Sequence, residues 1–260
     1  MVAKRIIPCL DVKDGMTVKG VHFEQLATIG GPVLLGERYA AEGADELVYL
    51  DISATNEGRS TFTGIVRRIA ERINIPFTVG GGISSADDAA RLLDAGADKI
   101  SLNTAIVNDP SLIDRIASKY GSQFVVAAID AKMIDGVWRV VTHGGKRLTD
   151  KELFSWAKEV RSRGAGEILF TSMDNDGTRR GYPCRTMSAL SEMLDIPVIA
   201  SGGAGSVQDV IDVLTEGKAD AALIASLFHY GEISVRELKE KLKQAGIEVA
   251  LNDAANYPER

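Results

Sequence analysis

The sequence predicts an α/β fold, a closed (β/α)8 TIM barrel built from two repeated (β/α)4 halves. Three observations point there. Eight short apolar runs rich in β-branched residues alternate with longer amphipathic segments from end to end, the pattern of parallel strands joined by crossover helices. The stretch IPFTVGGGISS, residues 75–85, recurs as IPVIASGGAGS, residues 196–206, at an offset of 121 residues that suits half a barrel and is far too long for a solenoid unit. The chain has 260 residues, 45% of them apolar, a size at which α/β barrels still form one domain.

Strands are expected at residues 5–11, 46–52, 77–80, 99–102, 124–130, 168–172, 198–201 and 221–225. After the first comes KDGMTVKGVHFEQLATIGG, which reads as a mobile lid better than as a helix. The segments GIVRRIAERI, ADDAARLLDAG, DKELFSWAKEVRSRG and VQDVIDVLTEG follow a helical period, and several end near a glycine suited to a C-cap. The repeat is broad: GADELVYLDIS from Gly43 matches GAGEILFTSMD from Gly164, and LDVKDG at Leu10 resembles IDAKMIDG at Ile129. AGADKISLNTA matches EGKADAALIAS once an extra residue near Lys218 is allowed. The halves therefore run approximately over 1–121 and 122–245 of a single domain spanning 1–260, with a polar tail, LNDAANYPER, that looks dispensable.

A net charge of −6 without a long Lys/Arg run argues against a nucleic-acid or anionic-membrane partner and turns attention to small molecules. No apolar stretch approaches the ~20 residues of a membrane span, and the start MVAKRIIPCLD lacks the apolar segment of a signal peptide, so a cytoplasmic protein is expected. Only Cys9 and Cys184 are present, with the histidines His22, His143 and His229, so neither a disulfide framework nor a metal site is indicated, and no cofactor is expected.

In such barrels the loops after the C-terminal strand ends carry function. The two glycine turns fall there, each running into a helix with Ser at its N-cap, where unhindered backbone N–H groups and the helix dipole can cradle an anion. A single glycine turn serves equally to make a tight connection. Two copies, half a barrel apart, imply one elongated ligand with a phosphate at each end. Gly82, Asn103 and Thr104 are the candidates for one cradle, and Gly203, Ala225 and Ser226 for the other. Asp176 and Gly177 of DNDGT are expected near the second cradle through their backbone, and Thr171 at its strand end is a further substrate-binding candidate. Asp11 and Asp130 hold equivalent strand-end positions and should face each other across the mouth, suited to general acid–base work or, more plainly, to capping turns. An ordinary Asp, near pKa 3.9, needs burial or neighbouring anions to act as an acid near neutrality. Asp51 and Asp174 are weaker candidates, and Lys19 of the lid segment is placed to reach an anionic ligand unless it is simply solvated.

At the opposite strand ends stand Arg5, Glu46, Lys99 and Glu167. Strand parity puts Arg5 on the face of Asp11 and Lys99 on the face of Asn103, so a ring of two cations and two anions is expected to close the barrel floor. It reads as an ion-pair plug or as a gated passage.

The segments KRIIPCLDVKDG, DELVYLDI, IPFTVGGGI, ADKISLNTA, VAAIDAK, GAGEILFTSMDNDGT and IPVIASGGAG, in this order, resemble the cyclase subunit family of imidazole glycerol phosphate synthase from residue 1 to about 242. The resemblance implies an enzyme of histidine biosynthesis that uses ammonia to convert a phosphoribulosyl-formimino aminoimidazole carboxamide ribonucleotide into imidazole glycerol phosphate and aminoimidazole carboxamide ribonucleotide. It implies Asp11 and Asp130 as the acid/base pair. It also implies ammonia delivered through the charged floor by a glutaminase subunit bound at the N-terminal barrel face, with Asp98 a candidate interface charge. The sister phosphoribosyl isomerase has the same two-phosphate half-barrel plan and remains an alternative; a noncatalytic phosphate-ligand binding protein is the reading of a different class.

Overall fold

The computed structural model describes residues 2–21, 24–52 and 63–251, so His22 and nearly all of the polar tail lie outside the described residues. Among the described residues twelve strands are formed: β1 Arg5–Lys13, β2 Met16–Val21, β3 Glu24–Gly30, β4 Leu47–Asp51, β5 Phe77–Gly80, β6 Lys99–Leu102, β7 Val125–Ile134, β8 Val137–Thr142, β9 Arg147–Glu152, β10 Glu167–Ser172, β11 Val198–Ser201 and β12 Ala221–Ile224. Eight of them, β1, β4, β5, β6, β7, β10, β11 and β12, pair in parallel in that order, and β12 pairs back to β1. The fold is the expected closed (β/α)8 barrel.

Period-2 alternation sorts the strand residues into two apolar layers. On β1, Ile6 and Leu10 point outward under the helices, while Ile7 and Cys9 join Val48, Val126, Leu169, Ile199 and Leu223 inside the barrel. Full burial of such aliphatic side chains is worth about 1.5–3 kcal/mol each, which holds the strand ends in fixed register above this plug. The helices Ala86–Asp94 and Val207–Thr215 start as their sequence suggests: Ser85 accepts from Asp88 N–H and Ser206 from Asp209 N–H. The extra residue at Lys218 takes a left-handed conformation, φ +54°, in the turn before β12. Among the described residues no helix is long and apolar enough to cross a membrane.

Two expectations are corrected. The described part of the segment after β1 is no loose lid: β1 runs past the barrel rim and folds back through β2 and β3 as an antiparallel hairpin. The second half repeats this with β7, β8 and β9, and β9 takes in Asp150, Lys151 and Glu152, so the following helix begins only at Leu153. The signal was in the quoted motifs. Asp14–Gly15 and Asp135–Gly136 have positive φ at both residues (52° and 78°, 49° and 80°), which fits the type I′ turn that Asp-Gly favours between two strands.

Candidate active site

The C-terminal strand ends open into one cavity of ≈ 690 Å³. Its wall includes both glycine turns: Gly82, Asn103 and Thr104 on the first half, Gly203, Ala225 and Ser226 on the second. Asp11, Asp130, Lys19, Thr171, Asp176 and Gly177 line the same cavity. Gly203 stands at φ +127°, and a Cβ there would lie 2.1 Å from the carbonyl oxygen of Gly181, so only glycine fits this turn. Gly82 likewise has a left-handed φ of +66°.

The two strand-end aspartates sit in different company. Asp11 is buried, and Lys19 on β2 reaches it with Nζ 3.3 Å from Oδ2. Lys19 is therefore no solvated loop lysine: only 7% of it is exposed. Burial alone would lower its pKa, but Asp11 and Asp176 outweigh that and raise it. Asp130 has neutral partners instead. The Asn103 amide donates to its Oδ2 at 2.8 Å, and Thr171 hydrogen-bonds its carboxylate. Burial, reinforced by the negative charges of Asp176 and Asp11, pushes the Asp130 carboxyl up to about 7 against those two hydrogen bonds.

Asp176 enters with more than its backbone. In the loop after β10, Asp174 accepts from Met133 N–H at 2.8 Å, and the Asn175 amide donates to the Gly181 carbonyl at 2.8 Å. Those two side chains tie the loop down, and the buried Asp176 carboxylate is left acting on Lys19, Cys9 and Asp130. Asp174, a weak candidate from the sequence, is a loop clamp, whereas Asp51 is buried and lines the cavity. Lys13, His143, Lys146, Arg179 and Ser201 also line it; Lys13 and Ser201 fall within the quoted motifs but were not singled out, and the other three fall outside them. The β8–β9 turn, which carries His143 and Lys146, was not read from the sequence; the Asp-Gly signal marks the β7–β8 turn before it.

At the floor the expected ring closes. Arg5 bridges Glu46 (3.0 Å) and Glu167, and Lys99 bridges Glu46 (2.9 Å) and Glu167 (3.0 Å). Thr78 donates to the second oxygen of Glu46 at 2.6 Å. Each carboxylate meets both cations and the ring is neutral, the arrangement that best offsets desolvation. Asp98 lies beside this floor, where its Oδ2 accepts from Phe77 N–H at 3.0 Å. Asp45 and Asp220 do the same for Ile6 and Val198, so part of Asp98's task is to hold two neighbouring strands.

The sequence profile described as histidine biosynthesis protein matches residues 5–234. An imidazole glycerol phosphate synthase subunit HisF from Flavobacterium johnsoniae is 60% identical over 251 residues, 96% of this chain and 100% of that protein. The HisF subunits of Phocaeicola vulgatus and Geobacillus thermodenitrificans are 57% and 56% identical, each over 96% of this chain and 100% of the relative. The chain belongs to the HisF family. HisF relatives over the whole barrel favour neither the sister isomerase nor a noncatalytic binder. Among the described residues of this HisF chain, no group of three or more His, Cys, Asp or Glu side chains is placed to hold a metal ion.

Proposed function

We propose that one bisphosphorylated substrate spans the mouth from cradle to cradle and reacts between Asp130 and Asp11. The chain is the cyclase subunit of imidazole glycerol phosphate synthase, an enzyme of histidine biosynthesis. The observation that carries the reading is that both glycine turns and both aspartates line a single cavity. In this reading the chain works as one domain, with each half supplying one phosphate cradle and one catalytic carboxyl.

The substrate is the phosphoribulosyl-formimino aminoimidazole carboxamide ribonucleotide. Ammonia adds to its ribulosyl carbonyl. Asp130, whose carboxyl near pKa 7 is partly protonated at neutrality, gives a proton to the carbonyl oxygen, and Asp11 takes one from the nitrogen. Loss of water leaves an imine whose nitrogen closes onto the formimino carbon. The bond from that carbon to the aminoimidazole carboxamide ribonucleotide then breaks: the leaving amine takes one proton back from Asp11 and one from the ring nitrogen that came from ammonia, and Asp130 recovers its proton from the ring methylene as the imidazole becomes aromatic. Lys19 compensates the charge on Asp11 during the cycle. Ammonia enters from a glutaminase subunit bound at the opposite face, past Arg5, Glu46, Lys99 and Glu167, with Asp98 at the interface.

The test is product analysis of the purified chain with the bisphosphorylated substrate and ammonium salt, without glutamine. Formation of both products is expected. Binding with no turnover at high ammonium, or turnover of the ribosyl precursor instead, would overturn the proposed reaction.

A further inference from the structure

The turn between β8 and β9 folds back over the end of β6. His143 N–H donates to Thr104 Oγ1 at 3.1 Å, which sets the turn against the first phosphate cradle. Two other points hold it. Lys132 Nζ donates to the Gly145 carbonyl at 3.4 Å, and Gly145 is seated against Met173, whose Cε lies 2.6 Å from where a Cβ would stand. Three successive residues, His143, Gly144 and Gly145, have left-handed φ values of 56°, 62° and 81°. His143 is the costly one, because a side chain with positive φ persists only where its surroundings fix it.

Lys146 follows in this turn, exposed, and lines the cavity. The cations around the mouth are differently committed. Lys19 is held by Asp11, and Arg179 is paired with Glu232 beside the Gly205 carbonyl. Lys146 has no ion pair among the described residues. The backbone and hydroxyl groups of the first cradle offer a phosphate neutral donors, and the nearby Asp88 carboxylate is already engaged by Ser84, Ser85 and Arg91. The turn that hydrogen-bonds Thr104 brings Lys146 to this cradle as a counter-charge for a dianionic group, whereas Lys13, also on the cavity wall without an ion pair among the described residues, comes from β1.

We propose that the β8–β9 turn is a third wall of the Gly82–Thr104 cradle, with Lys146 supplying the cation that selects a terminal phosphate and His143 acting as the positioning residue that holds the turn on Thr104. This deepens the substrate reading above and rests on it. It makes the recognition of one end of the ligand depend on both halves, since the backbone cradle belongs to the first half and the cation to the second.

The experiment compares wild type, Lys146→Met and Lys146→Arg in the ammonium-driven reaction. The substrates are the bisphosphorylated compound and two analogues, each lacking one terminal phosphate. Loss of a contact made equally in ground and transition states raises KM and leaves kcat. Lys146→Met is expected to raise KM at least about fivefold for the full substrate and for one analogue, leaving the other analogue unaffected, with kcat within about twofold throughout. Lys146→Arg should restore most of the loss. An equal effect on both analogues would mean a structural role and overturn the proposal, as would an unchanged KM for the full substrate. A Gly82→Val variant separates the two levels of argument. If it raises KM and Lys146→Met does not, the cradle stands and the third wall falls; if neither changes KM, the cradle reading itself has failed.

Discussion

The two halves carry the same aspartate on the same strand and surround it differently. Asp130 lies between β6 and β10, which bring Asn103 and Thr171 to its carboxylate. The repeat-related positions beside Asp11 are Ala225, just past the end of β12, and Leu50 on β4, which offer no side-chain hydrogen bond. Asp11 instead takes its partner from the hairpin. Opposite Asp11 stands Val18 and opposite Asp130 stands Val141; the next residue along is Lys19 in the first half and Thr142 in the second. Three repeat-related differences, Lys19 for Thr142, Ala225 for Asn103 and Leu50 for Thr171, thus separate an ion-paired carboxylate from one held by neutral donors. In the proposed reaction, a duplicated scaffold would acquire two proton-transfer roles by changing neighbours while the residue type is kept.

The largest break in this comparison is removal of either carboxyl. Asp11→Asn and Asp130→Asn keep the shape and abolish proton transfer, and each should lower ammonium-driven kcat by at least ~10²-fold, with substrate affinity largely kept. Near-normal turnover in either variant would remove it from the pair.

Lys19→Met makes the first half resemble the second by stripping Asp11 of its cation. A fall of about tenfold or more in ammonium-driven kcat/KM is expected, since the buried carboxylate is left among Leu50 and Ala225 without charge compensation. A steady-state assay that found kcat/KM unchanged would show that the ion pair only packs the hairpin.

The difference also has a pH signature. With Asp130 raised to about 7, its protonated form is lost as pH rises through that value, so the rate of the ammonia-addition step, read in single-turnover experiments at a fixed concentration of free ammonia, should fall above about pH 7. Hydrogen bonding from Asn103 favours the ionised form, so Asn103→Ala should move this limb to higher pH. Stability follows the opposite logic. The folded state binds the Asp130 proton more tightly than the unfolded chain, so this residue's contribution falls as pH rises from about 4 to about 7 and is unfavourable above. Asp130→Asn should therefore melt higher than wild type at pH 8, by about 2–4 °C for each kcal/mol regained, and the gain should shrink toward pH 4. A gain independent of pH would contradict the assignment.

The smallest effect on ammonium-driven chemistry is expected at the floor, where the ring joins residues of both halves. Lys99→Ala breaks two ion pairs, but its side chain is 21% exposed, so the cost should stay at about 1–3 kcal/mol, below the value for a fully buried pair. Turnover with ammonium salt should be near normal. With a glutaminase added, the ratio of glutamine consumed to product formed should change if the ring gates ammonia. An unchanged ratio with a lowered melting temperature would leave the ring as a structural plug.

The strands were the most legible part of the fold. The expected runs 77–80, 99–102 and 198–201 coincide with β5, β6 and β11, because short β-branched runs between turn residues leave little room for error. The strands β2, β3, β8 and β9 escaped because they leave the barrel and mix polar with apolar residues, although Asp14–Gly15 and Asp135–Gly136 marked the turns that lead into them, between β1 and β2 and between β7 and β8. The floor ring was legible through parity alone. Lys146 and Arg179 were not, since an isolated cation in a turn gives no period and no motif.

By itself the sequence determined the eightfold alternation, the two glycine turns half a barrel apart, the equivalence of Asp11 and Asp130, and the charges at the strand starts. These are one-dimensional quantities: period, spacing and residue type. Only the tertiary structure decided which partner each aspartate received, that Asp176 acts through its carboxylate and not its backbone alone, and that the second hairpin rests on Thr104. A carboxyl's chemistry is set by the charges and donors within a few ångströms of it. Those neighbours lie 8 residues away in the chain for Lys19 beside Asp11 and 27 for Asn103 beside Asp130, brought there by hairpin register and strand pairing, which no local pattern in the chain encodes.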